Sequence, residues 1–313
     1  MLDVPDTSGH RARLGRQDNQ YSAAGYPQIR LAALVACGTR AIIDAVFGPT
    51  AAGESTYVTG LLRSLHQGMI VLLDRGLSGN ALLAAVTGTG AGFLARLSAS
   101  RKPPVLRRLP DGSFLSVLGG VKVRIIECQI TIATAGTQTG TYRLATTLLD
   151  HHQHPAGELV TLYHQRWEIE TAYFEIKKTM LGRRVLRART LPGITQEIYA
   201  LLTACQAIRI AITDAAGTIP GTDPDRASFS VALQAARDQV IQAAGVIAEE
   251  TIDLAGTIGR HVLDNLMPAR RLRVSPRAVK RPLSRYAYKS LRVDRRTYKA
   301  TISINILTIS LSP

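Results

Sequence analysis

Tyr163, Arg166, Glu170 and Lys177 place a phenol, a guanidinium, a carboxylate and an ammonium within one short stretch. On a continuous helix, at about 100° per residue, they fall within an arc of roughly 60° along about 20 Å of axis. A carboxylate flanked by cations and a phenol on one face suits a divalent cation held beside a phosphodiester. The plainer reading is a set of surface ion pairs, each worth about 0–1 kcal/mol.

The same helix must bury a face, and Leu162, Ile169, Tyr173, Ile176 and Met180 supply it. That stripe predicts Glu168, Glu175 and His164 on the solvent side. Glu170 is predicted near the apolar border, where a partly desolvated carboxylate needs a partner. Asp74 is the natural second carboxylate. It follows the apolar run Met69–Leu73, which predicts a buried central strand, with Asp74 at its carboxyl edge and Gly76 allowing a close turn. The alternative for Asp74 is a turn or helix-capping residue. Two carboxylates from a strand end and a helix offer the hard oxygen ligands that suit Mg²⁺ or Mn²⁺.

The elements that position these residues read as an α/β protein. Residues 1–27 look irregular. Ile29–Ala36 and Ala41–Phe47 form a hairpin across Cys37-Gly38-Thr39-Arg40. Helical spacing covers Ser55–Leu65, and a helix at Asn80–Thr87 precedes a strand around Phe93–Leu97. From Ser100 to Leu149 the texture changes to short alternating runs separated by Pro103-Pro104, Pro110-Asp111-Gly112 and Gly119-Gly120, as antiparallel strands with tight turns require. Pro155 opens the helix carrying the polar strip, and Ile194–Ala216 is a second, strongly apolar helix. Asp223-Pro224-Asp225-Arg226 caps a helical segment running to Ala244, and another extends to Leu266.

Charge points to a polyanionic partner. Against 23 Asp and Glu stand 38 Lys and Arg, a net +15, and a partner rich in phosphates releases counterions when these cations bind it. Arg270–Lys299 alone holds twelve Lys and Arg against one Asp, interleaved with Tyr286, Tyr288 and Tyr298, which favours contact with a DNA backbone. Cys37, Cys128 and Cys205 lack metal-binding spacing and read as buried thiols of a cytoplasmic protein. No apolar run predicts a membrane span. His151-His152-x-His154 sits in a loop without an acidic or cysteine partner at ligand spacing, and Asp44 reads as an edge-strand residue.

Taken together, Tyr163-x2-Arg166-x3-Glu170-x6-Lys177 resembles the Tyr-Arg-Glu-Lys signature of cut-and-paste insertion-sequence transposases with an Asp-Asp-Glu triad. Leu73-Asp74-Arg75-Gly76 is similar to the motif of their second Asp. The resemblance implies a ribonuclease-H-like mixed sheet with flanking helices, interrupted by an antiparallel β insertion and followed by a helical C-terminal part. It divides the chain into a first part of the catalytic core (1–99), the β-rich insertion (100–150), the active-site and C-terminal helices (151–266) and a basic tail (267–313). It implies that Asp74 and Glu170 bind catalytic Mg²⁺, with Mn²⁺ as an alternative. Arg166 and Lys177 are expected on phosphates of the element's ends, and Tyr163 on a phosphate or the strand near the cut. The implied partners are transposon-end and target DNA and a second copy of the chain, on a bacterial nucleoid and away from membranes.

The triad's first Asp, expected as Asp-Gly on the first core strand, is not matched. The one Asp-Gly, Asp111-Gly112, follows Asp74 and is out of order, while Asp3 and Asp6 lack a preceding apolar strand. The expectation is a start just downstream of that Asp. The competing reading is an inactive remnant that only binds DNA.

Overall fold

The computed structural model describes residues 1–15, 25–133, 137–243 and 254–268, and beyond these only short strand segments between 273 and 307. In chain order the first elements are β1 (Leu2–Asp3), α1 (Ser8–Leu14), β2 (Gln28–Val35), β3 (Ile42–Pro49), α2 (Glu54–Gly60), β4 (Ile70–Leu73), α3 (Asn80–Gly88) and β5 (Gly92–Arg96). There follow β6 (Arg107–Arg108), β7 (Phe114–Leu118), β8 (Val121–Ala133), β9 (Thr137–Thr146) and α4 (Ala156–His164). Then come α5 (Glu168–Phe174), α6 (Leu191–Gly217), α7 (Phe229–Ala243) and α8 (Leu254–Asp264). The C-terminal segment adds β10 (Arg273–Val274), β11 (Ala278–Val279), β12 (Ala287–Tyr288), β13 (Tyr298–Lys299) and β14 (Thr301–Ile306).

Compactness divides the chain into two interleaved units. The first comprises residues 1–72, 79–92 and 164–268; the second comprises 73–78, 93–163 and 269–313.

In the first unit, β1, β2 and β3 form an antiparallel sheet, with Leu31 opposite Phe47 and Ala33 opposite Ala45. A register shift at Leu34/Val35 ends the regular ladder just before the hairpin turn. Residues 1–14 are ordered here, contrary to the irregular reading. Leu2, Val4 and Leu14 are buried, and the Thr7 hydroxyl caps α1 by accepting from the His10 N–H at 3.1 Å. The core joins Leu2, Ile29 and Leu31 from this sheet to Ile176, Ile198 and Val262 from the helices. Helix α6 is long and apolar enough by composition to cross a bilayer, with mean hydropathy 1.3. One face of it is core, and buried Arg209 sits in its middle.

The second unit is built on antiparallel ladders. Strand β8 pairs with β9 from Arg124↔Thr146 to Ala133↔Thr137, while its other edge meets β7 over Val121–Ile125 and β14 over Cys128–Ala133. The seven-stranded sheet runs β4-β5-β9-β8-β7-β6, with β14 on β8; the unit boundary passes along the chain through β4 and β5. Strand β4 therefore ends the order rather than lying centrally, and Ile70 is 40 % exposed. Five apolar residues in a row do not prove two covered faces when one can stay partly wet.

Positive backbone φ at Gly119 and Gly120 (57° and 83°) closes the β7–β8 turn. Asp111-Gly112 also has a structural role. Arg124 is fully buried and donates to Asp111, to the Ser113 hydroxyl at 2.8 Å and to the His154 carbonyl at 2.6 Å. Burial works against the Asp111 carboxylate, but Ser113 and Arg124 more than offset it and lower its pKa.

Most of the basic segment 270–299 lies outside the described residues. Within it, β10 pairs with β13 antiparallel and β11 with β12 parallel. Of the three cysteines, Cys128 and Cys205 are buried free thiols, but Cys37 is exposed, because it lies in the hairpin turn.

Candidate active site

Asp74 directly follows the last residue of β4, an end strand of its sheet and not the central one expected. Leu73 before it is buried, whereas Asp74 is exposed and caps the 3₁₀ turn Arg75–Leu77. Its Oδ1 accepts from the Arg75 N–H at 2.7 Å, and its carbonyl accepts from the Leu77 N–H at 2.8 Å. The turn-capping role thus coexists with a carboxylate presented to solvent. In the same unit, Tyr163 is only 6 % exposed, and its hydroxyl donates to the Leu73 carbonyl at 3.2 Å. The phenol is thereby tied to the backbone immediately before Asp74.

The helical stretch that follows is not uniform. Helix α4 ends at His164, a 3₁₀ turn spans Gln165–Trp167, α5 runs to Phe174, and a π-helical turn covers Glu175–Met180. Each change of winding rotates the residues beyond it relative to an ideal helix. In the first unit this stretch carries Arg166, Glu170 and Lys177. The Arg166 guanidinium lies 4.9 Å from the centre of the Trp167 ring, and the Lys177 ammonium 5.8 Å from that of Tyr173. Tyr173 itself donates to the Leu31 carbonyl at 3.1 Å, and burial pushes its hydroxyl pKa up to about 12.

Three glutamates share this stretch and have different surroundings. Glu168 accepts from Arg40. Glu175, expected in solvent, is instead buried: it accepts from Arg209 and lies 3.5 Å from Arg40 Nη1. Arg40 also donates to Asp225. Arg40 and Arg209 are each 2 % exposed, so the network is a buried one. The single apolar stripe misplaced Glu175 because the helix packs on more than one side and the π turn begins at that residue. Glu170, by contrast, is exposed, and its carboxylate has no ion pair or hydrogen bond among the described residues.

The buried network was not legible in the sequence. Its organiser is Arg40, a non-glycine residue with φ of 56° in the hairpin turn, reaching residues more than a hundred positions away. Arg209 also lies 4.8 Å from the centre of the Phe229 ring. Gln206 completes the docking of α6 on β3 by accepting from the Ile42 N–H at 2.8 Å.

Among the described residues, no three His, Cys, Asp or Glu side chains cluster to hold a metal. In the histidine loop 151–154, His154 contributes its carbonyl to Arg124. Asp44 is bound by Arg63 at 2.8 and 2.9 Å and by the Ser64 hydroxyl at 2.6 Å, which accounts for it as a structural residue. Asp74 and Glu170 remain as exposed carboxylates. Mg²⁺ is commonly held by one or two protein carboxylates with waters and substrate phosphates completing its shell, and each of these carboxylates is by itself a hard oxygen donor of that kind.

A mixed α/β domain with helices flanking its sheet, and carboxylates on a strand end and on a helix, agrees with a ribonuclease-H-like phosphoryl-transfer domain. The chain belongs to the transposase DDE-domain family, whose model (Transposase DDE domain) matches residues 2–206. It is similar to the Transposase InsG for insertion sequence element IS4 of Escherichia coli (strain K12), with 27% identity over 219 residues. That match covers 66% of this chain and 49% of the relative, so the chain spans about half the length of the relative it matches.

Proposed function

We propose that this chain acts as an insertion-sequence transposase, cutting DNA at the element's ends and joining the freed 3′-hydroxyls to target DNA. In this reading Asp74 and Glu170 are carboxylates of the metal site. The observation that carries it is the sorting of the three helical glutamates: Glu168 and Glu175 are bound to arginines, while Glu170 stands exposed with no such partner among the described residues.

A bound Mg²⁺ or Mn²⁺ supplies the positive charge that an in-line phosphoryl displacement requires. Glu170 and Asp74 provide hard oxygen donors for that ion. Arg166 and Lys177, which lie near the Trp167 and Tyr173 rings, supply cations that grip phosphate oxygens of the element's ends in this reading. The buried position of Tyr163 favours a positioning role over direct DNA contact, because its hydroxyl anchors the backbone from which Asp74 projects. Two element ends call for two active sites, so a dimer assembled on DNA at the nucleoid accompanies this reading.

The test is Mg²⁺-dependent strand cleavage on a duplex carrying the element's terminal repeats. Glu170→Gln is expected to slow cleavage by about 100-fold or more, the scale of losing a main electrostatic contribution. Cleavage by Glu170→Gln at the wild-type rate overturns the assignment.

A further inference from the structure

The helix carrying Glu170 runs into a cationic loop of which the proposed chemistry uses only the first residue, Lys177. From Lys177 to Arg189 the chain carries Lys177, Lys178, Arg183, Arg184, Arg187 and Arg189, with no Asp or Glu between Ile176 and Gln196. All four arginines are exposed, and none has a carboxylate partner among the described residues. Arg40, Arg124 and Arg209, in contrast, are all buried against carboxylates.

The backbone beneath these arginines is fixed. Gly182 and Arg183 both have left-handed φ (57° and 63°), and the Arg183 N–H donates to the Lys177 carbonyl at 3.0 Å. Leu186 is 2 % exposed, and its N–H donates to the Asp3 carbonyl at 3.0 Å. The N–H groups of Arg187 and Ala188 both donate to the Glu197 carboxylate at 2.8–2.9 Å. Glu197 is thus engaged by the loop's main chain and is kept from neutralising its arginines. A cleft of about 390 Å³ is lined by Lys177, Lys178, Arg183 and Arg184 together with Asp3 and Gln28. Asp3, the one acidic residue of that lining, accepts from Gln28 at 2.6 Å.

We propose that residues 181–190, with Lys177 and Lys178, form a preorganised clamp for the phosphate backbone of duplex DNA beside the Glu170 site. This rests on the transposase reading. A loop held at these points and bearing exposed arginines without carboxylate partners among the described residues suits successive phosphates, which lie at regular spacing and need no base contact. The clamp holds DNA without reading its sequence, and it extends the grip of Lys177 away from the point of chemistry.

The test is fluorescence anisotropy of the full chain with a labelled 30-base-pair duplex of arbitrary sequence, in EDTA, across a salt series. Omitting divalent metal separates this result from the fate of the metal site, which the cleavage assay of Glu170→Gln decides alone. The pairs Arg183→Gln/Arg184→Gln and Arg187→Gln/Arg189→Gln are each expected to lower the salt slope by about 1.8 and the affinity by at least about tenfold. Arg→Lys at the same positions is expected to restore most of the slope, which loss of folding could not produce. Wild-type slope and affinity in both Gln pairs overturn the clamp. So does a loss of binding to heparin with duplex binding unchanged, which marks a generic anion surface.

Discussion

Glu168, Glu170 and Glu175 lie within eight residues of one another, and their neighbours decide which one is chemical. Arg40 is central to that decision, since it contacts Glu168, Glu175 and Asp225 from the hairpin turn. Arg40→Ala removes the cation from the largely covered Glu168 and Asp225 and leaves buried Glu175 with Arg209 alone. Urea unfolding is expected to show a loss of about 3–5 kcal/mol, as for other broken buried pairs, and a loss below about 1 kcal/mol contradicts a buried network. A second residue-scale prediction concerns acid. The Arg63 guanidinium lowers the Asp44 pKa to about 2, below the unfolded value of about 3.9. Its contribution to stability is complete above about pH 4 and is lost as pH falls through 2. The stability gap between the wild type and Asp44→Asn, followed by urea unfolding from pH 5 downwards, is expected to shrink over that window; a constant gap argues against the pairing. At this scale the sequence put Glu170 near the apolar border, partly desolvated, whereas the structure exposes it, and Asp74 follows the last residue of its strand, which is an edge strand and not a central one. It misplaced Glu175, which is buried, and Glu168, which is largely covered by Arg40, since partners from α6 and the hairpin are invisible to a helical wheel.

Strands and helices with strong periodicity were readable from the residues alone: the hairpin β2–β3, helix α3 and helix α6 appear where the patterns require. The changes of winding at Gln165–Trp167 and Glu175–Met180 were not readable. No proline or glycine marks either place, and the winding follows from how neighbouring elements capture the side chains. Helix α1 was missed because only Thr7 and Leu14 announce it in a polar setting. One element-scale consequence is local to the strand end at Asp74. Tyr163→Phe deletes the hydrogen bond to the Leu73 carbonyl and is expected to cost about 1 kcal/mol by urea unfolding. The same variant is expected to lower cleavage while leaving duplex affinity in EDTA unchanged. A fall in that affinity with normal cleavage contradicts a positioning role and supports direct contact with DNA.

At the scale of the molecule, the net charge of +15 and the family membership both support the DNA partner proposed above. The division into interleaved units was not legible, because the change of texture near residue 100 marks a change from α/β alternation to antiparallel strands, not the limit of a compact unit. The helical stretch crosses from one unit to the other between Tyr163 and His164, so the Tyr-Arg-Glu-Lys residues are shared between both. The central claim is that Asp74 and Glu170 are the metal-binding carboxylates of a transposase. Mn²⁺ binding to the full chain, followed by electron paramagnetic resonance, tests it most directly without depending on turnover. Asp74→Asn and Glu170→Gln are each expected to weaken Mn²⁺ binding by at least about tenfold, or about 1.4 kcal/mol. Wild-type Mn²⁺ affinity in both variants contradicts the claim.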